Sequence, residues 1–358
     1  MPANTSIGGD IAIVGFAQTP SERDANPSEV QLLVPTVSAA IEMVGIDRRE
    51  IGFTCAGSCD YLTGGPFAFV SNLEAAGAWP PISESHVEMD GAWALYEAWV
   101  RLQHGDIDLA LVFGSGKSSP SNPTELYPQQ LDPYYLEPLG LDPDSIAALQ
   151  ARALLDSGKA TERAFAEVAA RSRRSAKSNP NAQLSGDTDA DTLLAGGYVR
   201  APLRSHDLPV YSDGAAAIVL ATADRARQLV EHPVFIRGIA HRIEVHQPGS
   251  RDLTTSPSTT GAARAAGHNG QAIDVAELSA AYTPQELILR ESLGLDDKVT
   301  VNPSGGPLTA NPVMATGLVR IIEAAQRVAD GSAHRALAHA TNGQGLQHNL
   351  VCILEGEQ

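Results

Sequence analysis

Three cysteines, Cys55, Cys59 and Cys352, are the only thiols in 358 residues. An odd, sparse set does not build a disulfide framework, so a reducing, cytoplasmic setting is expected. The pair Cys55-Ala56-Gly57-Ser58-Cys59 has no second ligand pair at a zinc-like spacing, so no metal site is expected. Two carboxylates, Glu88 and Asp90, stand just before a helical pattern. Read by themselves they are acids that a helix dipole favours at the helix start. The basic stretch Arg171, Arg173, Arg174 and Lys177 could meet phosphates, although a solvated helix face is the plainer reading. His86, His339 and His348 are expected to make local hydrogen bonds and little more.

The elements that must position these residues are legible as short apolar runs. Ile11-Ala12-Ile13-Val14-Gly15 and Leu109-Ala110-Leu111-Val112-Phe113-Gly114 read as fully buried strands. Between them residues 92–104 read as a helix, with Ala94, Leu95, Ala98, Trp99 and Leu102 on one face and Gly105-Asp106 as its stop. Residues 120–143 are rich in Pro, Ser, Asn and Tyr without a clean period, which reads as an excursion from the core sheet. Residues 144–179 then read as helical, and core character resumes over 212–220. Further strands are predicted at 234–236, 275–278, 299–301 and 349–354, with a long helix over 313–329. The expected organisation is two α/β halves with an insertion in the first. The first half is placed at 1–117 and 206–230, the insertion at 118–205, and the second half at 231–358.

Composition bounds the partners. A formal net charge of −17 and a pI near 4.9 argue against nucleic acids and anionic membrane surfaces. With 43% hydrophobic residues the chain can bury a large core. No window offers the roughly 18 apolar residues of a membrane span. The opening Met1-Pro2-Ala3-Asn4-Thr5 lacks the basic start of an export signal.

Several segments, in order, resemble the thiolase superfamily, in particular the sterol-carrier-type or lipid-transfer-protein thiolases. Ala12-Ile13-Val14-Gly15-Phe16-Ala17-Gln18-Thr19-Pro20 resembles the family's first strand and turn. Phe165-Ala166-Glu167-Val168-Ala169 and Asn179-Pro180-Asn181-Ala182-Gln183 resemble its inserted loop domain. Ser212-Asp213-Gly214-Ala215-Ala216-Ala217 is similar to the strand completing the first half. Glu277-Leu278 through Glu286-Leu287, with Leu293-Gly294-Leu295, resembles the first catalytic block of the second half. Asn302-Pro303-Ser304-Gly305-Gly306, with Asn311-Pro312 and Ala315-Thr316-Gly317, resembles the Gly-rich block before the last long helix. The resemblance spans nearly the whole chain. It implies a thiolase fold: two similar α/β halves in a five-layered αβαβα arrangement with an inserted loop domain.

Thiolase chemistry needs a nucleophilic thiolate, histidines that activate it and hold the thioester oxyanion, and a group that moves a proton at the α-carbon. The resemblance places the nucleophile six residues before Ala94, at Glu88. A carboxylate is a poor acyl acceptor from a thioester, because the mixed anhydride lies uphill. The family's histidine positions fall on Ser279 and on Asn311 of Ala310-Asn311-Pro312. Thr341-Asn342-Gly343-Gln344-Gly345 resembles the last catalytic loop, with Thr341 nearest the proton-shuttle position. None of the cysteines sits at a catalytic position, so a cysteine-dependent Claisen condensation is not expected.

Two functions follow from the resemblance. One is retro-aldol cleavage of a β-hydroxyacyl-CoA, which needs no nucleophile. Glu88 or Asp90 would be the base and Tyr282 and Asn311 the polar donors, with Tyr282 as half-buried packing the plainer reading. Ser279, Gly305, Gly306, Thr341, Asn342 and Gly343 would contact the substrate. The other is a non-catalytic acyl-CoA-binding or lipid-transfer subunit. The alcohol-rich Ser118-Ser119-Pro120-Ser121-Asn122-Pro123-Thr124 would enter the ligand-binding insertion. The implied ligand is a CoA thioester of a lipid or steroid, with no further cofactor. The implied partners are a second copy, paired near residues 83–88, or a second thiolase-like chain with a small OB-fold acyl-CoA-binding protein.

Overall fold

The computed structural model describes residues 9–64, 66–77, 79–120 and 122–357, so the amino-terminal segment read for an export signal, and Ser121, lie outside the described residues. Four strands come first: β1 (Ile11–Gln18), β2 (Phe53–Gly57), β3 (Glu84–Val87) and β4 (Leu109–Lys117). A small hairpin of β5 (Tyr198–Arg200) and β6 (Leu203–Arg204) precedes β7 (Tyr211–Thr222). The second half supplies β8 (Val234–Ile243), β9 (Val275–Leu278), β10 (Thr300–Val301), β11 (Asn311–Pro312), β12 (Arg335–Asn342) and β13 (His348–Glu355).

The main sheet runs β10-β9-β12-β13-β8-β1-β7-β4-β2-β3, and β11 pairs with β7. Its two halves share one pairing pattern. In the first, β3, β2 and β4 are parallel and β7 and β1 follow antiparallel. In the second, β10, β9 and β12 are parallel and β13 and β8 follow antiparallel. The halves join where Ile11, Ala12 and Ile13 of β1 pair with Ile236, Phe235 and Val234 of β8.

Helices fill the layers because each has an apolar stripe to bury. The helices Gly91–Leu102 and Thr316–Ala329 share one core with side chains from both half-sheets, and so form the central layer. Glu29–Val44 covers the outer face of the first half-sheet, and Pro257–Ala265 with Thr283–Leu293 covers that of the second. This is the expected fold class, layered α–β–α–β–α.

Local boundaries moved for identifiable reasons. The predicted helix over 144–179 is two helices, Pro143–Asp156 and Glu162–Ser175, parted at Gly158, whose φ of 72° no helix accommodates. The predicted helix over 313–329 begins only at Thr316, since Asn311-Pro312 is a strand and Met314 stands at φ 76°. Strands β2, β3 and β12, which the apolar runs did not reveal, carry Thr, Cys, Ser and His among short residues.

Candidate functional site

The starts of the two central helices meet at Asp90. Its Oδ1 accepts from Ala92 N (2.8 Å), capping Gly91–Leu102, and from Leu318 N (3.2 Å). Its Oδ2 accepts from Gly317 N (2.8 Å) of the second helix. Met314 O in turn accepts from Gly91 N (2.8 Å). Burial raises the Asp90 carboxyl above its ordinary value, against the opposing pull of these three amides.

Above this junction opens a cleft of about 730 Å³, mouth included. Asp90 lies on its floor. Its walls bring together Ser279, Tyr282, Asn311, Thr316 and the 341–346 turn from the second half with Tyr127 from the inserted segment and Tyr211 from the first half. Thr316 Oγ1 donates to Asn311 Oδ1 (2.8 Å), which turns the Asn311 amide nitrogen the other way. Ser279 is held by its backbone, N donating to His339 O (3.1 Å), and leaves its hydroxyl on the wall. Tyr282 OH donates to Asp144 Oδ1 (2.6 Å) and also interacts with the Tyr211 phenol. Burial drives both phenols well above the usual tyrosine value. The 341–346 turn is pinned from behind by Arg251, which donates to Gln344 O (3.1 Å) and Gly345 O (3.0 Å).

Two lining residues, Met314 and Leu346, hold φ of 76° and 60°. Such conformations cost a residue with a Cβ roughly 1–3 kcal/mol, and they concentrate at functional sites. No lysine, arginine or cysteine is among the described lining residues. The cleft therefore offers neutral hydroxyls, amides and phenols around one carboxyl group.

The sequence-assigned residues divide on this geometry. Asp90, Ser279, Tyr282, Asn311, Thr341, Asn342 and Gly343 all line the cleft. Glu88 does not: its carboxylate accepts from Asp60 N (2.5 Å) beside Cys59, and burial raises its pKa. Gly305 and Gly306 are not on the cleft either. They form a buried turn at φ 98° and 64°, where an added Cβ would meet Thr309 Oγ1 at 2.3 Å and Asn302 Nδ2 at 2.8 Å. Asp90, a candidate base, has both oxygens engaged by backbone amides. Two of the four residues of the basic stretch are paired: Arg171 with buried Glu286, and Lys177 with Asp187. Ser119 of the alcohol-rich stretch serves Asp213, donating from its N (3.0 Å) and Oγ (2.5 Å).

Sequence reading missed Tyr127, Tyr211 and Asp144. Tyr211 abuts the recognised Ser212-Asp213-Gly214 strand, and Asp144 follows an Asp142-Pro143 helix-start signal. Neither signal says which way the side chain faces. Among the described residues no group of three or more metal-binding side chains occurs, and no helix is long and apolar enough to cross a membrane.

No family model matches the chain. Among proteins of known identity, it is 26% identical to an acetyl-CoA acetyltransferase of Methanothermobacter thermautotrophicus, over 95% of this chain and 96% of that protein. It is 24% identical to a 17-hydroxy-3-oxo-4-pregnene-20-carboxyl-CoA lyase of Mycobacterium tuberculosis, over 65% of this chain and 63% of that one. It is likewise 24% identical to sterol carrier protein 2 of Gallus gallus, over 95% of this chain and 69% of that protein. Among solved structures, an Ltp2-ChsH2(DUF35) aldolase superposes with a TM-score of 0.83 at 22% identity, covering 98% and 99% of the two chains. Over nearly its full length the chain is thus similar to acetyl-CoA acetyltransferases and to sterol carrier protein 2, and with its repeated half-sheet it has the fold of the aldolase structure.

Proposed function

We propose that this chain binds a CoA-linked lipid or steroid in the cleft between its halves and cleaves it as a β-hydroxyacyl-CoA by retro-aldol chemistry. In this reading it has lost cysteine-dependent Claisen condensation. The observation that carries the reading is the make-up of the cleft: its described lining has phenols, hydroxyls and amides but no cysteine. In the reaction a base takes the β-hydroxyl proton, the bond between the α- and β-carbons breaks, and its electron pair becomes the thioester enolate. Protonation of the α-carbon then leaves a shortened acyl-CoA and a carbonyl product, with no other reactant. In this reading Tyr282 takes the hydroxyl proton and Asn311 and Ser279 donate to the developing enolate oxygen, all three being residues of the cleft lining. In this reading Glu88 and Asp90, whose carboxylates accept from backbone amides, do not act as the base. The lyase and aldolase among the similar proteins support the reaction class.

A second reading, a binding subunit in a heteromeric assembly, is favoured by one surface. Tyr134, Tyr135 and Leu139, ahead of the helix Pro143–Asp156, are 81%, 72% and 66% exposed. An uncovered aromatic patch suits a partner chain such as the second component named in the aldolase structure.

Melting temperature with CoA and with lipid and steroid acyl-CoAs tests the ligand class. Saturation at about a hundred times the dissociation constant adds roughly 2.7 kcal/mol. Chromatography of β-hydroxyacyl-CoA reactions then tests the chemistry, with Tyr282→Phe expected to bind normally and turn over at least about 100-fold more slowly. Binding without product in wild type, alone and with co-purifying chains, sinks the lyase reading. No thermal shift with any thioester sinks both readings.

A further inference from the structure

Asp144 lies behind the cleft wall, at the start of the helix Pro143–Asp156 in the segment between β4 and β5. It is half-buried, and its Oδ1 accepts from Tyr282 OH at 2.6 Å. Tyr282 is 4% exposed, and its hydroxyl lies between Asp144 and Tyr211. Two charged groups face Asp144 from its surroundings. They are Asp142, the helix cap, and Arg200 of β5, whose Nη2 donates to Asp142 Oδ2 at 2.7 Å. A carboxylate, a buried phenol and a second phenol thus form a chain from the insertion to the cleft wall, ending near solvent at Asp142 and Arg200.

We propose that Asp144 is the positioning residue and proton store behind Tyr282, so that the inserted segment controls the acid–base chemistry of the cleft. This rests on the cleft being the reaction site proposed above. A phenol that takes the β-hydroxyl proton must shed its own. Here it passes to Asp144 Oδ1 along the existing hydrogen bond, and returns through Tyr282 to the α-carbon of the enolate when the carbon–carbon bond has broken. Each proton that leaves the substrate hydroxyl is restored at carbon, so no external acid or base is consumed. Burial raises Asp144 above the ordinary carboxylate value, with Asp142 adding to the rise and Tyr282 and Arg200 opposing it. That direction favours the proton-holding form of Asp144 while it accepts from Tyr282.

The test needs no turnover. With ring-carbon-13-labelled tyrosine, the Cζ resonance of Tyr282, assigned by its loss in Tyr282→Phe, is followed through acid titration of the ligand-free protein. In wild type it shifts with a midpoint above the ordinary aspartate value; in Asp144→Asn, an isosteric change, it stays flat. A flat wild-type resonance, or an unchanged shift in Asp144→Asn, overturns the proposal whether or not any substrate is found. With a substrate in hand, Asp144→Asn lowers kcat about 100-fold at unchanged KM, and Asp144→Glu moves the acid limb of the pH profile while recovering part of the rate. An Asp144→Asn kcat equal to wild type overturns it as well. Absence of turnover in wild type sinks the retro-aldol reading alone and leaves the titration to decide this one.

Discussion

At the residue scale, one carboxylate does more for architecture than its place on the cleft suggests. Asp90 receives three backbone N–H groups from two helices, one of them from Gly317, 227 residues further along the sequence. Capping alone is worth about 0.5–2 kcal/mol, and each buried donor left unpaired costs about 1–3 kcal/mol. Asp90→Ala is therefore expected to lose roughly 3–5 kcal/mol in denaturant unfolding, while Asp90→Asn, which keeps one acceptor oxygen, loses less. Equal stability of Asp90→Ala and wild type would show that the two helix starts do not depend on this side chain. Tyr282 makes the contrasting case: its hydroxyl has a single carboxylate partner and faces a second phenol, so its removal should register in chemistry before it registers in folding.

At the element scale, the cleft exists because two helices of the central layer start within contact of each other. That approach requires the smallest side chain at Gly317. A Cβ there would lie 2.5 Å from Asp90 Oδ1 and 2.5 Å from Ala340 Cβ, with no flexible side-chain end to give way at the Ala340 contact. Gly317→Ala should push the helix Thr316–Ala329 off its seat, at a cost of about 1–3 kcal/mol. Thr316 and Asn311 move with it, so ligand affinity should fall along with the melting temperature. A variant of normal stability and normal thioester affinity would mean that this junction has slack that the close packing does not show.

For the whole molecule, the repeated half-sheet buries an imidazole with consequences for acid stability. His339 on β12 is fully buried, its Nε2 against Asn349 Oδ1 at 3.0 Å, and burial depresses its pKa to about 4. An unfolded histidine titrates near 6.5. The folded state thus binds fewer protons than the unfolded state between those values, and stability rises with pH there. This contribution is complete above about pH 6.5 and is lost as pH falls toward 4, by about 3 kcal/mol. Denaturant unfolding at pH 7, 5.5 and 4 should show the loss, and His339→Asn should flatten it even if it is less stable throughout. An identical pH slope in that variant would assign acid sensitivity elsewhere, for instance to the depressed His348 beside His241.

The sequence by itself determined the layers. Apolar runs at β1, β4, β8 and β13 and the apolar faces of the central helices are local patterns, and burial follows from them directly. It also marked Ser279, Tyr282, Asn311 and the 341–343 turn, because the blocks carrying them keep recognisable order and spacing. Only the tertiary structure decided which of these share a surface with Asp90, and that Glu88 turns toward Asp60 and Gly305-Gly306 into a buried turn. It alone joined Asp144 to Tyr282 across 138 residues. The reason is physical: hydrophobic periodicity sets the side of an element that is buried, but a polar side chain's direction depends on the hydrogen-bond partners that distant segments deliver to it.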